Sequence, residues 1–419
     1  MITPSKSTIE LKVRGLLCIL VLGGILVAGL WPFHAPLNDV SWLKNVNGLY
    51  FGRHHGAVLS SGTFAESSSR DERSCSLEIW LQPDRSYDTG TLLSFYKADS
   101  KAEFSLHQSD ADLGLLMGSL YQHVETKGPG TAFVDEIFHS RRLLQVAIAS
   151  GAAETTIYVD GVLRKTAPEF RLSTRDCSGQ LVLGTSPIMN DTWSGQLRGL
   201  AVYKQELTAA QVFHHFETWA TKGRPDLGQN ERLSALYLFN ENDGRIVHNR
   251  SGSGPDLYIP ERYLILHEKF LEPPWQEFNP GGSYWKNVEI NIGGFIPLGF
   301  CFCAYLSISR RMSRPVLATI ILGAATSLTI EVLQAYLPTR DSGMTDLVTN
   351  TLGTALGAGL YRWRAALFNK ILNRICFVTF PRGSHSFLRR TNLPMLSDAV
   401  TNADSGAMDT SAEDIHSIG

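Results

Sequence analysis

Apolar residues are concentrated in four runs along the chain, and the long stretch between the first and second runs is polar and rich in turns. The runs cover residues 15–31, 290–308, 316–337 and 347–361. A helix that crosses the hydrocarbon core of a membrane needs about 20 mostly apolar residues. The pattern therefore predicts one N-terminal membrane helix and a C-terminal bundle of three. In the last run, the Gly353 and Gly357 spacing predicts close packing against a neighbouring helix.

Residues 46–216 form short alternating runs separated by turns, which is typical of an antiparallel sandwich. An Asp160-Gly161 pair suits a hairpin turn that needs two positive φ angles, and Thr208 suits the N-cap of a short helix. Further strands are predicted over residues 76–81, 180–184 and 197–203. A run at 235–239 comes after the rest, and we expect it to add a late strand that extends the sandwich to residue 266. The predicted fold class is therefore multidomain, an all-β sandwich plus an α-helical transmembrane bundle.

Positive charge predicts the orientation of the membrane helices. Arginine and lysine residues fill the connection between the second and third runs and follow the fourth, at Arg310, Arg311, Arg314, Arg362, Arg364, Lys370 and Arg374. Because cytoplasmic loops carry an excess of these residues, both termini are expected in the cytoplasm and residues 32–285 outside it. The first run could instead be a cleaved signal peptide, since it is short and follows basic residues. No clear cleavage site comes after it, which favours an uncleaved anchor.

The same features predict the boundaries of the domains. These are a cytoplasmic N-terminus (1–14), a membrane helix (15–31), the sandwich (46–266), a linker rich in proline and glycine (267–287), the helical membrane domain (288–366) and a cytoplasmic tail (367–419). The end of the tail is rich in serine, threonine and aspartate, which predicts disorder.

The net charge narrows the classes of possible partner, and the cysteine positions indicate a possible disulfide. The formal net charge of -2 argues against nucleic acid and leaves the membrane as the expected partner. Of six cysteines, only Cys75 and Cys177 fall in the predicted sandwich. If that region is outside the cytoplasm, a disulfide between them is chemically permitted. The alternative is two unpaired buried thiols.

No metal or cofactor site stands out in the sequence. The adjacent pairs His54-His55 and His214-His215 are expected at the surface, because neighbouring residues of a strand point to opposite faces and rarely chelate together. No acidic cluster has a convincing calcium-loop spacing, although calcium in the sandwich stays open as an alternative. No cofactor is predicted.

Polar residues inside the helical bundle are the strongest candidates for a site, since a charged residue near mid-helix costs roughly 2.5–3.5 kcal/mol on insertion. Residues three or four apart share a helix face, as Glu331 does with Gln334 and Asp346 with Asn350. In the predicted topology these residues reach the outer membrane face. The predicted cluster comprises Glu331, Gln334, Arg340, Asp341, Asp346, Asn350 and Asn291. It either binds a ligand or only holds the helices together, and we assign no catalytic residue.

Two family resemblances follow from these residues. The stretches 76–80, 158–161, 183–184, 195–203 and 207–211 resemble the laminin-G-like, concanavalin-type jelly roll, whose members often bind carbohydrate. No motif of paired carboxylates like that of the related glycosidases is present, so a binding module is favoured over a hydrolase. The stretches 291–299, 331–334, 338–341, 346–350 and 352–353 resemble the VanZ-like family, which is associated with glycopeptide (teicoplanin) resistance.

Together the resemblances imply a cell-envelope protein of the bacterial plasma membrane. Its outer jelly roll would bind a glycan or glycosylated polymer, and its bundle would engage an envelope precursor or lipid-linked group at the outer leaflet. One alternative is an enzyme that acts on a lipid-linked headgroup through Glu331, Arg340 and Asp346. The other is an envelope scaffold whose sandwich binds a protein.

Overall fold

The computed structural model describes residues 6–65, 74–98, 103–118, 130–188, 190–228, 230–267, 270–278, 282–309 and 312–379. The end of the tail beyond Arg382, for which disorder is predicted, and the predicted cytoplasmic arginines Arg310 and Arg311 lie outside these residues.

Sixteen strands and six helices are found in the described residues. The strands are β1 (Val40–Trp42), β2 (Leu49–Phe51), β3 (Val58–Phe64), β4 (Cys75–Pro83), β5 (Asp88–Tyr96), β6 (Glu103–Asp110), β7 (Asp112–Met117), β8 (Thr131–Val134), β9 (Leu144–Ser150), β10 (Thr155–Val159), β11 (Val162–Ala167), β12 (Gly179–Leu183), β13 (Gly195–Tyr203), β14 (Leu233–Tyr237), β15 (Ile246–Val247) and β16 (Leu257–Tyr258). The helices are α1 (Lys6–Leu30), α2 (Ala209–Lys222), α3 (Pro274–Glu277), α4 (Gly282–Ser309), α5 (Pro315–Gln334) and α6 (Met344–Thr379).

The strands form two antiparallel sheets that pack as a sandwich. The first has the order β1-β2-β13-β4-β9-β10-β11, and the second has the order β15-β16-β3-β12-β5-β6-β7-β8. The predicted late strand is β14, which pairs with β13 and aligns Tyr237 with Leu200. Strand β16 then pairs with β3 in the other sheet. The segment after α2 therefore adds one strand to the first sheet and two to the second.

One apolar core lies between the sheets. Alternate residues of facing strands fill it, among them Leu77, Phe95, Phe104 and Leu181, all fully buried. This alternation is what the sequence pattern predicts, because successive strand residues point to opposite faces. Fully burying each such side chain contributes about 1.5–3 kcal/mol.

Turn and cap chemistry follows the sequence closely. The β10–β11 hairpin turns at Asp160 and Gly161, with φ of 52° and 74°, which confirms the predicted turn. Thr208 caps α2: its side chain accepts a hydrogen bond from the backbone N–H of Gln211, whose side chain bonds back to the backbone of Thr208. This reciprocal capping satisfies two N–H groups that a helix start leaves without partners. A disulfide joins Cys75 to Cys177, the pair that the sequence permits.

Three helical segments of the described residues are long and apolar enough to cross a membrane: Ile9–Leu30, Tyr284–Ser309 and Pro315–Gln334. Helix α6 does not meet this criterion, so a fourth span stays a prediction. Helix α5 buries small and polar residues, including Gly323, Ser327 and Glu331, and exposes Ile321 and Leu328. That distribution is the reverse of a soluble helix and is expected where lipid surrounds the bundle.

Glycines set the distance between α4 and α6. A Cβ atom added at Gly353 would lie 2.3 Å from the carbonyl oxygen of Ile292, and one at Gly357 would lie 2.1 Å from that of Ile296. Only residues without side chains allow the two backbones to approach this closely. The predicted small-residue packing face is confirmed.

Candidate functional site at one end of the helical bundle

Gln334 and Arg340 bind the C-terminal end of α1. The Gln334 Nε2 donates to the carbonyl oxygen of Gly29 at 2.8 Å, and the Arg340 Nη2 donates to that of Trp31 at 2.7 Å. The last carbonyls of a helix have no partner within the helix, and a cation is favourable there because of the helix dipole. Gln334 and Arg340 therefore tie the N-terminal helix to the bundle. We call these two residues the capping half of the cluster.

Three carboxylates gather beside them. Glu331 Oε2 accepts from the backbone N–H of Gly343 at 2.9 Å, and Asp346 Oδ1 accepts from Asn291 Nδ2 at 2.7 Å. Glu277 Oε2 accepts from the backbone N–H of Thr345 at 3.0 Å. The three carboxylates are close enough to interact electrostatically. We call Glu277, Glu331 and Asp346 the acidic half.

Glu277 was missed by the sequence prediction, which placed it in the linker. The segment before α4 folds onto the loop between α5 and α6: Glu272 forms a parallel bridge with Gly343, and the backbone N–H of Met344 donates to the Glu272 carbonyl at 2.9 Å. This pairing brings Glu277 to the start of α6. The sequence did contain a signal for α3: Pro274 is followed within one helical turn by the acidic residue Glu277, a pattern that is typical of the start of a helix.

The remaining predicted residues take different places. Asn350 lies one turn deeper in α6, is only 5% exposed, and donates through Nδ2 to Ser327 Oγ at 3.0 Å. Asp341 is exposed near the acidic half. Arg340 bonds to a backbone carbonyl, and the described residues contain no ion pair of Arg340 with Asp341, Asp346 or Glu331. The seven residues thus lie at one end of the bundle. Four of them belong to the capping or the acidic half and Asn291 bonds to the acidic half, whereas Asn350 and Asp341 belong to neither.

Exposed aromatic residues surround this end of the bundle. They lie at the end of α1, in and after α3, at the start of α4 and just after α5, at Trp31, Phe33, Trp275, Phe278, Trp285 and Tyr336. Tryptophan and tyrosine are enriched where a membrane meets water. The belt indicates that the polar cluster lies at the level of a membrane–water interface.

The outer face of the second sheet holds a separate set of buried polar atoms. Ser94 and Ser105 are directly paired across β5 and β6, and His107 lies two residues further along the same face. Within the part of the chain that the structure describes, no hydrogen-bond partner is found for Ser94 Oγ, Ser105 Oγ or His107 Nε2. Burial lowers the pKa of His107, so its ring is neutral at neutral pH, although the Asp191 carboxylate opposes the shift. Buried polar atoms of this kind normally have partners.

His215 is buried, which corrects the prediction that both histidine pairs lie at the surface. Its Nδ1 lies 3.1 Å from Glu78 Oε2, and its Nε2 lies 3.1 Å from Glu231 Oε2. The strand argument failed because this pair lies on α2, which turns His214 outward and His215 onto the first sheet. His54 is exposed and His55 half-buried.

No group of three or more histidine, cysteine, aspartate or glutamate side chains in the described residues is arranged to hold a metal ion. The acidic half accordingly differs from a metal centre, although it collects three carboxylates. Its carboxylates are instead held apart by separate backbone and amide donors.

The fold and the site define a membrane-associated protein that joins a β-sandwich to a helical bundle with a polar end. Residues 240–368 match the VanZ/LLP1 family model, and residues 56–213 match the model of the Concanavalin A-like lectin/glucanases superfamily. The chain is therefore a VanZ-like membrane domain fused to a laminin-G-like, concanavalin-type jelly roll, as predicted. The VanZ/LLP1 match begins within the sandwich, before β15. No curated protein matches the chain.

Solved structures resemble the sandwich at low identity. A protein from Bacteroides ovatus ATCC 8483 assigned to carbohydrate binding is 12% identical, with a TM-score of 0.33 over 52% of this chain and 63% of that one. The chain thus spans less than two thirds of that protein. The heptameric SAP-like pentraxin from Limulus polyphemus is 16% identical, with a TM-score of 0.32 over 53% of this chain and 93% of that one. Trypanosoma rangeli sialidase is 13% identical, with a TM-score of 0.34 over 45% and 29%.

Proposed function

We propose that the chain is a cell-envelope protein of the bacterial plasma membrane, with residues 32–285 outside and both termini in the cytoplasm. Its jelly roll binds a glycan or glycosylated polymer, and its bundle engages a lipid-linked envelope group at the outer leaflet. The observation that carries this proposal is the docking of residues 271–278 on the loop between α5 and α6. This docking places the polar end of the bundle beside the segment that leaves the sandwich.

The aromatic belt supports the proposal that the bundle engages a lipid-linked group. A molecule that is anchored in the outer leaflet would have its headgroup at the level of the belt, where the acidic half lies. Carboxylates accept hydrogen bonds, so they favour a headgroup that is rich in hydroxyl or amine donors. The capping half is already occupied by α1, and we assign it a structural role.

The unpartnered atoms of Ser94, Ser105 and His107 support the proposal that the sandwich binds a glycan. A neutral imidazole and two hydroxyl groups can each exchange hydrogen bonds with a sugar hydroxyl. Leaving such atoms buried without a partner costs about 1–3 kcal/mol each, and a bound hydroxyl would remove that cost. We therefore place the glycan site on the outer face of the second sheet. Because Ser94, Ser105 and His107 are at most 1% exposed, a glycan reaches them only when the residues that cover this face move aside.

A glycan array probed with the full chain in detergent tests the proposal. We expect binding to a defined class of glycans and a loss of that binding in Ser105→Ala. Ser61→Ala is the matched control, because Ser61 is an exposed serine on β3 of the same sheet. An array without any bound glycan, or equal binding by Ser105→Ala and the parent chain, would contradict the sandwich's part.

A further inference from the structure

Helix α2 rests on the first sheet through one side chain that can carry charge. The buried residues of α2 are Val212, His215, Thr218 and Trp219, and His215 is the only one of these that titrates. The apolar residues of this contact form a cluster that is separate from the core between the two sheets. An isolated helix of 14 residues is marginal in water, so α2 depends on its contact with the sheet.

His215 joins α2 to two other elements of the sandwich. Its Nδ1 atom lies 3.1 Å from Glu78 Oε2 on β4, and its Nε2 atom lies 3.2 Å from Glu231 Oε1 in the segment before β14. Each carboxylate has another donor: the Tyr203 hydroxyl donates to Glu78 at 2.7 Å, and the Gln211 amide donates to Glu231 at 3.0 Å. These additional donors are neutral, so the ring of His215 is the shared cation of the cluster when it is protonated.

The number of donors on the ring depends on its proton. A protonated imidazole donates from both nitrogens and serves both carboxylates, whereas a neutral imidazole donates from one nitrogen and presents a lone pair at the other. Loss of the proton therefore turns one of the two contacts into repulsion between a nitrogen lone pair and a carboxylate. Glu78 is 0% exposed and Glu231 is 5% exposed, and a buried carboxylate that loses its cation is costly.

We propose that His215 is a pH-sensitive switch: its protonated ring holds α2 on the first sheet, and loss of the proton releases α2 while the two sheets stay paired. The core between the sheets, as far as the structure describes it, contains no residue of α2, so it does not depend on this helix. Release uncovers the apolar residues that α2 packs on, among them Trp80, Tyr158 and Leu236. The switch is independent of the proposed function, but a sandwich outside the cytoplasm would respond to the pH of that compartment.

The direction of the pH response follows from the groups around the ring. Burial lowers the pKa of His215, but the hydrogen bonds and charges of Glu78 and Glu231 outweigh burial and raise the pKa above 6.5. Strand β13 contributes Tyr203, whose own pKa is raised by burial and by Glu78, so that its hydroxyl stays neutral. Helix α2 contributes His214, which is exposed. The switch therefore holds α2 below the raised pKa and releases it as the pH rises through that value.

Hydrogen–deuterium exchange of the full chain in detergent tests the proposal. Exchange is measured between about pH 6 and about pH 9, and each rate is corrected for the intrinsic pH dependence of amide exchange. We expect the protection of the α2 amides to fall about tenfold more over this range than that of the β4 and β9 amides, because release opens the helix and leaves the sheet paired.

Two variants change the donors and acceptors around the ring. His215→Gln keeps one donor and one acceptor without charge, so α2 should exchange rapidly at every pH. Glu231→Gln replaces one carboxylate by an amide, so a neutral ring can donate to Glu78 and accept from the new amide. Glu231→Gln should therefore keep α2 protected at the higher pH.

His214→Ala is the matched control, because His214 is the exposed histidine beside the switch on the same helix, and it should keep the response of the parent chain. Protection of α2 that does not change with pH would overturn the proposal. A loss of protection by α2 and the strands together would also overturn it, because the response would then be global unfolding. Glu231→Gln decides the matter if His215→Gln does not fold: release of α2 at the same pH as in the parent chain would refute the role of the ring.

Discussion

Replacing His215 by alanine tests the buried network on the outer face of the first sheet. Each ring nitrogen lies 3.1 Å from a different carboxylate, those of Glu78 and Glu231. Both nitrogens donate only when the ring is protonated, so His215 serves as a buried cation between two anions. Tyr203 also donates to Glu78 at 2.7 Å, which fixes the orientation of that carboxylate.

The expected cost follows from the burial. Glu78 and His215 are both 0% exposed, and removing one partner of a buried ion pair costs about 3–5 kcal/mol. For a domain of this size, each kcal/mol lowers the melting temperature by about 2–4 °C, so we expect a fall of roughly 6–20 °C. Trp80 of β4 packs against Trp219 of α2, with ring centroids 6.0 Å apart, so intrinsic fluorescence of the full chain is a suitable readout.

His214→Ala is the control, since His214 is the exposed neighbour on the same helix and a surface change of this kind is usually within about 0.5 kcal/mol. The pH dependence gives a second test. Burial lowers the pKa of His215, but the hydrogen bonds and charges of Glu78 and Glu231 outweigh it and raise the pKa. The stabilisation is therefore complete below about pH 6.5, the unfolded value, and is lost as pH rises through the folded value.

The difference in melting temperature between the parent chain and His215→Ala should accordingly shrink as the pH is raised above about 6.5. A difference that stays constant or grows with pH would refute the protonated state of His215. If His215→Ala and His214→Ala had the same melting temperature, the energetic argument as a whole would be refuted.

Three further predictions concern the rest of the chain. Cys75→Ser should remove the faster migration of the unreduced chain on a gel and cost about 2–5 kcal/mol, because the disulfide closes a loop with a sequence separation of 102; an unchanged gel shift would contradict this. Gly357→Leu should force α4 and α6 apart and lower the melting temperature by several degrees, whereas Gly359→Leu, where no atom lies within 4 Å of an added Cβ, should not. A reporter fused near residue 150 should give a signal outside the cytoplasm, and a cytoplasmic signal would overturn the predicted topology.

Because the polar cluster is divided into a capping half and an acidic half, variants of Arg340 and Glu331 are expected to have different effects. Loss of Arg340 would release the carbonyl of Trp31 and loosen the contact of α1 with the bundle. A phenotype of Arg340→Ala therefore reports on the assembly of the bundle. A phenotype of Glu331→Gln reports on binding by the acidic half. Comparing the two separates a structural effect from a binding effect at the same end of the molecule.

Local patterns in the sequence were sufficient for most of the architecture. The four apolar runs, the alternation of the strands, the Asp160-Gly161 turn and the Thr208 cap each depend on residues close together in the chain. Such features follow from helix and strand periods and from turn chemistry, which need no knowledge of distant partners. The predicted small-residue face at Gly353 and Gly357 belongs to the same group, since its spacing is a property of one helix.

Only the tertiary structure decided what the polar residues contact. Gln334 binds the carbonyl of Gly29, 305 residues away, and Glu277 reaches Thr345 because the linker pairs with a loop. His215 is buried because α2 packs on the first sheet, whereas its neighbour His214 stays exposed. The period of a helix or strand determines the face on which a side chain lies. Its burial and its partners depend on which distant element covers that face. For this reason most members of the cluster were foreseen, whereas Glu277 and the separation into a capping half and an acidic half were not.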